Sequence, residues 1–195
     1  MQADFMLPSG KLYVPGAEKI LPNIRRLVDV ARADEVFLVS HGCFHPVDDP
    51  EFAQFPPHCL EGTDGAKFVS EALTKKVAVL RNHESAALPN DLSQFQQVLL
   101  EKQTLDIFES RHAASLVERL PGAAEIAVFG VVTEYCVRFA AKGLLERGRR
   151  VSIVRDAIET LNPDESRKTL QELVSLGAAL VTTDEILARC QSLSA

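Results

Sequence analysis

The sequence predicts an α/β protein: three layers, α/β/α, around a mostly parallel central sheet. Three observations predict it. Short apolar runs of strand type recur at 36–39, 98–100, 125–129, 151–154 and 179–182. Runs of good helix formers lie between most of them, and strands alternating with helices are the mark of parallel βαβ units. Chemically able residues follow the strands: His41, Cys43 and His45 after the first, Lys102 after another, Cys136 after a third. In such sheets ligands bind beyond the carboxyl ends of the strands.

In chain order, residues 1–14 read as a loop, with Pro8-Ser9-Gly10 as a turn signal. Pro15-Gly16-Ala17-Glu18 opens a helix whose apolar residues Ile20, Ile24, Leu27 and Val28 stand near helical spacing. The strand at 36–39 is followed by a connection over 41–65, rich in Pro, His and Asp; so long a connection is usually functional. A short strand is expected at 77–80. The strand at 98–100 ends at Glu101-Lys102, and a helix over 112–120 stops at Pro121-Gly122. The strand at 125–129 runs through Gly130 into a helix over 137–147, closed by Gly148. The strand at 151–154 ends at Asp156. A helix over 163–176 has Pro at its start and Gly177 after it, the expected asymmetry. The last strand is 179–182, and Thr183-Asp184 begins a C-terminal helix.

No repeat, low-complexity tract or linker interrupts the 195 residues, and one domain over 1–195 is expected. Apolar residues make up 46%, enough for a core and against disorder. The net charge of −6 argues against a nucleic-acid or anionic-membrane partner. No apolar run approaches the roughly 20 residues of a membrane span. The opening Met1-Gln2-Ala3-Asp4 lacks the basic and apolar lead of a signal peptide. Cysteines 43, 59, 136 and 190 form no CxxC pair, so reduced thiols in a cytoplasm are expected.

Cys136 stands where a buried strand turns into a helix. Unpaired N–H groups and the helix dipole there favour a thiolate, and the same groups can hold an oxyanion. That is the setting of a nucleophile, although a buried structural Cys is the commoner case. Lys102, at a strand end, could hold negative charge or steer a proton; otherwise it is a solvated lysine. His41, Cys43 and His45 alternate and share a face if extended. Such a set suits a divalent metal, zinc first, with iron or manganese where oxygen ligands join. Asp48, Asp49 and His58 could complete it. The other reading is a polar loop with a solvated acidic turn of Asp48, Asp49 and Glu51. Cys59 and Cys190 read as structural, and His83 and His112 as surface residues.

Taken together, these pieces resemble the nicotinamidase and isochorismatase-like cysteine hydrolase family, on its nicotinamidase side. The resemblance rests on Gln2-Ala3-Asp4-Phe5, on Phe55-Pro56-Pro57-His58-Cys59 with Gly62-Thr63-Asp64-Gly65, on residues 102–108, on Gly130 to Arg138 and on Asp156-Ala157. It implies an isochorismatase-like hydrolase fold and an amide hydrolase that works through a thioester. Nicotinamide and water would give nicotinate and ammonia, a step of pyridine nucleotide salvage. It implies Cys136 as nucleophile, Lys102 as the central lysine of an Asp–Lys–Cys triad, the N–H groups of Val132 and Cys136 as the oxyanion hole, and a cis Val131–Val132 peptide. His45 and His58 would be the metal histidines, and a homo-oligomer is expected.

The chain departs from the family pattern twice. The metal-binding Asp position falls on Cys43, with Asp49 close enough to add an oxygen. The catalytic Asp would fall one residue before Met1, and Asp4 matches the second Asp of the motif, not the base. The apolar strand that leads into the motif is also missing, so an N-terminally truncated reading of a longer protein is expected. Two alternatives stand beside the nicotinamidase reading. One is a related hydrolase of another small amide or carbamoyl group; the other is a non-catalytic relative that binds a small molecule or a partner.

Overall fold

The strand and helix signals become elements in the expected order, in a computed structural model that describes residues 1–193. A single turn, α1 (Ala3–Met6), replaces the expected loop, and its Asp4, Phe5 and Met6 are buried. A 3-10 turn at Ala17–Ile20 leads into α2 (Leu21–Arg32), whose Ile24, Leu27, Val28 and Ala31 form the buried face. The strands β1 (Leu38–Cys43), β2 (Val77–Leu80) and β3 (Gln97–Lys102) follow. Then come α3 (Ala113–Arg119), β4 (Glu125–Val131), α4 (Arg138–Glu146), β5 (Arg150–Glu159), α5 (Pro163–Ser175), β6 (Ala179–Val181) and α6 (Thr183–Leu193). Asn162 caps α5 by accepting the N–H groups of Asp164 and Glu165.

Three strands run further than their apolar cores suggest. The expected strand at 36–39 is displaced to 38–43: Val36 is exposed, and the polar stretch Ser40-His41-Gly42-Cys43 joins because β3 pairs with it residue by residue. The register from Leu38↔Gln97 to Cys43↔Lys102 sets Cys43 beside Lys102 at the carboxyl edge. Likewise β4 continues to Val131 and β5 to Glu159, with a register shift between Val128 and Gly130 that places Val131 opposite Glu159. Pairing between strands, which periodicity does not report, decides these ends.

Every strand pairing within the sheets is parallel. The strands make two half-sheets, in the orders β1-β3-β2 and β4-β5-β6, and among the described residues no ladder joins β1 to β4. Between them lies a cavity of about 730 Å³ lined from both sides, with Leu38 and Ser40 on one wall and Val128 and Gly130 on the other. Among the described residues no helix is long and apolar enough to cross a membrane.

Candidate active site

The two half-sheets bring Cys43, Lys102 and Cys136 together at their carboxyl edges. Lys102 ends β3 and is 1% exposed. Its Nζ donates to Cys43 Sγ at 3.2 Å and to the Thr104 carbonyl at 2.6 Å. Cys136 is half-buried, and its thiol lies near enough to that of Cys43 for each to shift the other. Burial works against the Lys102 ammonium, but the thiols of Cys136 and Cys43 and the bond to Cys43 outweigh it and raise its pKa. The Cys136 hydrogen bond, aided by Lys102, brings the Cys43 thiol down to about 6 against its burial. The same hydrogen bond, with burial, pushes Cys136 well above the ordinary thiol range. The pair therefore holds its first negative charge on Cys43. Cys136, which the helix end alone would make the thiolate, needs a base to ionise.

The backbone around Cys136 is also unlike a plain strand-to-helix turn. The Val131–Val132 peptide is cis, and Thr133–Val137 is a π-helical turn before α4 begins. Wide turns of this kind are frequent at functional sites. The Val132 carbonyl accepts the N–H groups of Tyr135 and Val137, both at 3.1 Å. The loop after β5 pins the turn from outside. Thr133 Oγ1 donates to the Glu159 carbonyl at 2.8 Å, and the Glu134 carboxylate accepts the N–H groups of Leu161 at 3.0 Å and Asn162 at 2.9 Å.

A second cluster adjoins the first. One ligand atom each of Cys43, His45 and His58 lie within 4.8 Å of one another, and all three residues are buried. His45 is held by a parallel bridge to Leu60: its N–H donates to the Cys59 carbonyl at 3.1 Å, and its carbonyl accepts from Glu61 at 3.0 Å. His45 Nδ1 bonds Asp49 Oδ2 at 2.9 Å, and His58 Nδ1 bonds the Pro56 carbonyl at 2.9 Å. Both Nε2 atoms are thereby left to the cluster. His45 Nε2 is buried without a hydrogen-bond partner, which a native interior seldom tolerates. A soft thiolate, two imidazoles and an orphaned buried nitrogen fit a divalent metal of the zinc type.

Asp49, expected as an oxygen ligand, lies behind His45 instead and orients its ring. The carboxylate that faces the cluster is Glu51, with Oε1 3.9 Å from His45 Nε2 and 3.8 Å from His58 Nε2. The sequence offered Glu51 only as part of a solvated turn. Its placement depends on a 3-10 turn at Pro50–Ala53, in which Asp49 Oδ1 accepts the Glu51 N–H at 2.8 Å. Asp48 is exposed. His41 shares a strand face with Cys43 but lines the large cavity and stays outside the cluster; burial, with Lys102 adding to it, brings its pKa down to about 3.

Asp4 has a positioning role. Its Oδ2 accepts the Cys59 N–H at 2.7 Å and its Oδ1 the Lys11 N–H at 2.9 Å, which anchors the loop carrying His58. Between the clusters is a space of about 20 Å³, room for about one water. Cys43, Glu51, His58 and Cys136 line it, with Phe55 and Tyr135 at its rim, their ring centroids 5.7 Å apart and the rings perpendicular. The larger cavity reaches Cys136 but holds neither histidine of the cluster, so the smaller one is where the chemistry converges.

Comparison with known proteins agrees with this arrangement. The Isochorismatase domain matches residues 1–185. A nicotinamidase of Escherichia coli is 24% identical over 204 residues, covering 93% of this chain and 91% of its own. A maleamate amidohydrolase of Pseudomonas putida is 25% identical, covering 100% of this chain and 87% of its own. The crystal structure of a pyrazinamidase of Pyrococcus horikoshii in complex with zinc superposes with a TM-score of 0.73 at 28% identity, over 93% of this chain and 94% of that one. A parallel α/β scaffold, a thiol and a lysine meeting at its carboxyl edge, and a domain match over nearly all of its length make this chain a member of the isochorismatase family of hydrolases.

Proposed function

We propose that the protein is a cysteine amidohydrolase of small amides, with nicotinamide as the first substrate, and that it works in the cytoplasm, where its four cysteines stay reduced. The observation that carries this reading is the meeting of Cys136, Lys102 and the Cys43–His45–His58 cluster around one small aromatic-rimmed space. Cys136 attacks the amide carbonyl, and a C–S bond forms as the carbonyl oxygen takes the negative charge. The N–H groups of Val132 and Cys136 receive that oxyanion. The C–N bond then breaks, the nitrogen takes a proton, and ammonia leaves. Water cleaves the thioester, the acid departs, and the thiol is restored.

Lys102 holds negative charge beside the thiols throughout. By the family resemblance an Asp takes the Cys136 proton, and no residue of the 195 matches that position of the motif. Cys43, His45 and His58, with Glu51 facing them, would hold the metal, zinc before iron or manganese. Once bound, it would supply a Lewis acid that anchors a ring nitrogen or another lone pair of the substrate. With nicotinamide as substrate, the product nicotinate returns to pyridine nucleotide synthesis.

The exchange of an oxygen ligand for Cys43 favours a second reading, a related hydrolase of an acyclic amide or carbamoyl group. Ammonia release from nicotinamide, pyrazinamide and maleamate, measured side by side with zinc, iron and manganese, decides. Fastest turnover of nicotinamide supports the first reading; turnover of maleamate alone replaces it with the second. If no amide is turned over and Cys136 does not react with an alkylating agent, the protein is a binding relative.

A further inference from the structure

We propose that Cys43 and Cys136 form a redox modification site, at which a hydroperoxide joins the two sulfurs in a disulfide that a dithiol reverses. Three observations carry this. First, the two residues converge on one spot. Both line the same space of about 20 Å³, room for about one water. Their thiols are near enough for each to shift the other. Lys102 Nζ stands 3.2 Å from Cys43 Sγ, and both thiols act on its charge. The remaining two cysteines do not line this space: Cys59 is fully buried in the core, and Cys190 lies on α6 at the wall of the large cavity.

Second, the pair is open to a small oxidant. Cys136 is half-buried and borders both the small space and the large cavity. Hydrogen peroxide has two heavy atoms, so it is little larger than the water that this space admits. The hydroperoxide O–O bond breaks, one oxygen adds to the first sulfur as a sulfenic acid, and the other leaves as water or an alcohol. The second thiol then attacks that sulfur, the S–S bond forms, the S–O bond breaks and water leaves. Two thiols lose two protons and two electrons, and the hydroperoxide takes both.

Third, the same sulfur serves the metal cluster. Cys43 Sγ lies within 4.8 Å of the ligand atoms of His45 and His58. Zinc takes a thiolate, which a sulfur bound in a disulfide cannot offer. The metal and the disulfide therefore compete for Cys43, and oxidation removes a metal ligand and the nucleophile in one step. Transient, sensing disulfides are the kind found in a reducing cytosol. That the bond stops amide turnover rests on the proposed function; the bond itself and its competition with metal do not.

The test treats the purified protein with hydrogen peroxide, with and without zinc loaded, then alkylates and digests it without reductant. A peptide pair joining Cys43 to Cys136 is expected, with two of the four thiols lost and full recovery on adding dithiothreitol. Zinc should slow the reaction and be released as the bond forms, read with a chromogenic chelator. Cys43→Asp keeps a metal-binding side chain and removes the partner sulfur. In that variant peroxide should carry Cys136 on to sulfinic acid, which dithiothreitol does not reverse. Wild-type protein in which Cys136 becomes sulfinic acid while Cys43 is still alkylated overturns the proposal. So does a link through Cys59 or Cys190, or a Cys43→Asp variant that recovers as fully as wild type. Equal rates with and without zinc overturn the competition for Cys43. A protein that forms the bond yet hydrolyses no amide refutes the proposed function alone.

Discussion

Lys102→Met separates the chemistry of the site from its packing. Methionine keeps an unbranched apolar stem in a position 1% exposed and deletes the ammonium. What is lost is the donor 3.2 Å from Cys43 Sγ and the positive field that favours a thiolate in the pair. A hydrogen bond to a charged partner contributes about 1.5–3 kcal/mol. Loss of one donor at a site of developing charge costs about 10²–10³ in rate, or ~2.7–4 kcal/mol. A fall of kcat/KM on that scale is expected. Stability moves far less, because an ammonium no longer has to be desolvated, and an apolar side chain of similar size is often neutral there. The Thr104 carbonyl loses its donor, at a cost of about 1 kcal/mol, or about 2–4 °C in Tm for a chain of this size. The assay is ammonia release across pH, with a thermal melt on the same samples. Without the cation the thiols ionise at higher pH, so the acid limb of the activity profile moves upward. A variant within tenfold of wild type, with an unmoved pH profile, would show that Lys102 only fills space.

Four further outcomes are expected. Cys136→Ala loses amide turnover but keeps its metal, because Cys43, His45 and His58 carry the cluster; metal analysis of the purified variant checks this, and joint loss of both would join the two clusters into one. Asp49→Asn weakens zinc binding about 10–100-fold through the orientation of His45, whereas exposed Asp48→Asn leaves it unchanged; equal effects in a chelator competition would refute the distinction. The Cys43 thiol is depressed from 9.0 to about 6, so its contribution to the stability of the metal-free protein is fully present above pH 9 and lost as pH falls through about 6. Thiolate absorbance and denaturant melts follow this, with a slope of up to ~1.36 kcal/mol per pH unit; a flat stability curve over that window would contradict it. Gly42→Ala places a Cβ 2.6 Å from Phe68 Cε2 and 3.0 Å from Gln2 Oε1, an overpacking that costs about 1–3 kcal/mol. An unchanged melt would mean that Phe68 yields freely.

Much of the site was legible from local chemistry. Cys136 after a strand and before a helix, Lys102 at a strand end, and the alternation of Cys43 with His45 are all properties of short segments. The Pro56-Pro57-His58-Cys59 segment is legible through its resemblance to the family motif, and His58 does lie beside His45, with ring centroids 4.9 Å apart. Glu51 escaped notice because a carboxylate in an acidic turn looks the same whether it faces water or two imidazoles. Asp49 is close to His45 in sequence, but proximity does not say which nitrogen of His45 it meets. His41 shares the face of Cys43, yet the large cavity claims it.

The sequence by itself determined the α/β class, the order of the elements, and the thiol and lysine of the candidate site. Those follow from hydrophobic period, turn chemistry and motif, which act over a few residues. Only the tertiary structure decided where β1, β4 and β5 end, because a strand persists as long as its neighbour offers hydrogen bonds. Only it showed that Cys43 lies beside both Lys102 and Cys136, which together bring its thiol down. Charge and proton sharing depend on distances between residues 34 to 93 positions apart in the chain. The split of the sheet into two halves is likewise a matter of pairing across the fold, since a strand edge is open only when nothing in space lies beside it.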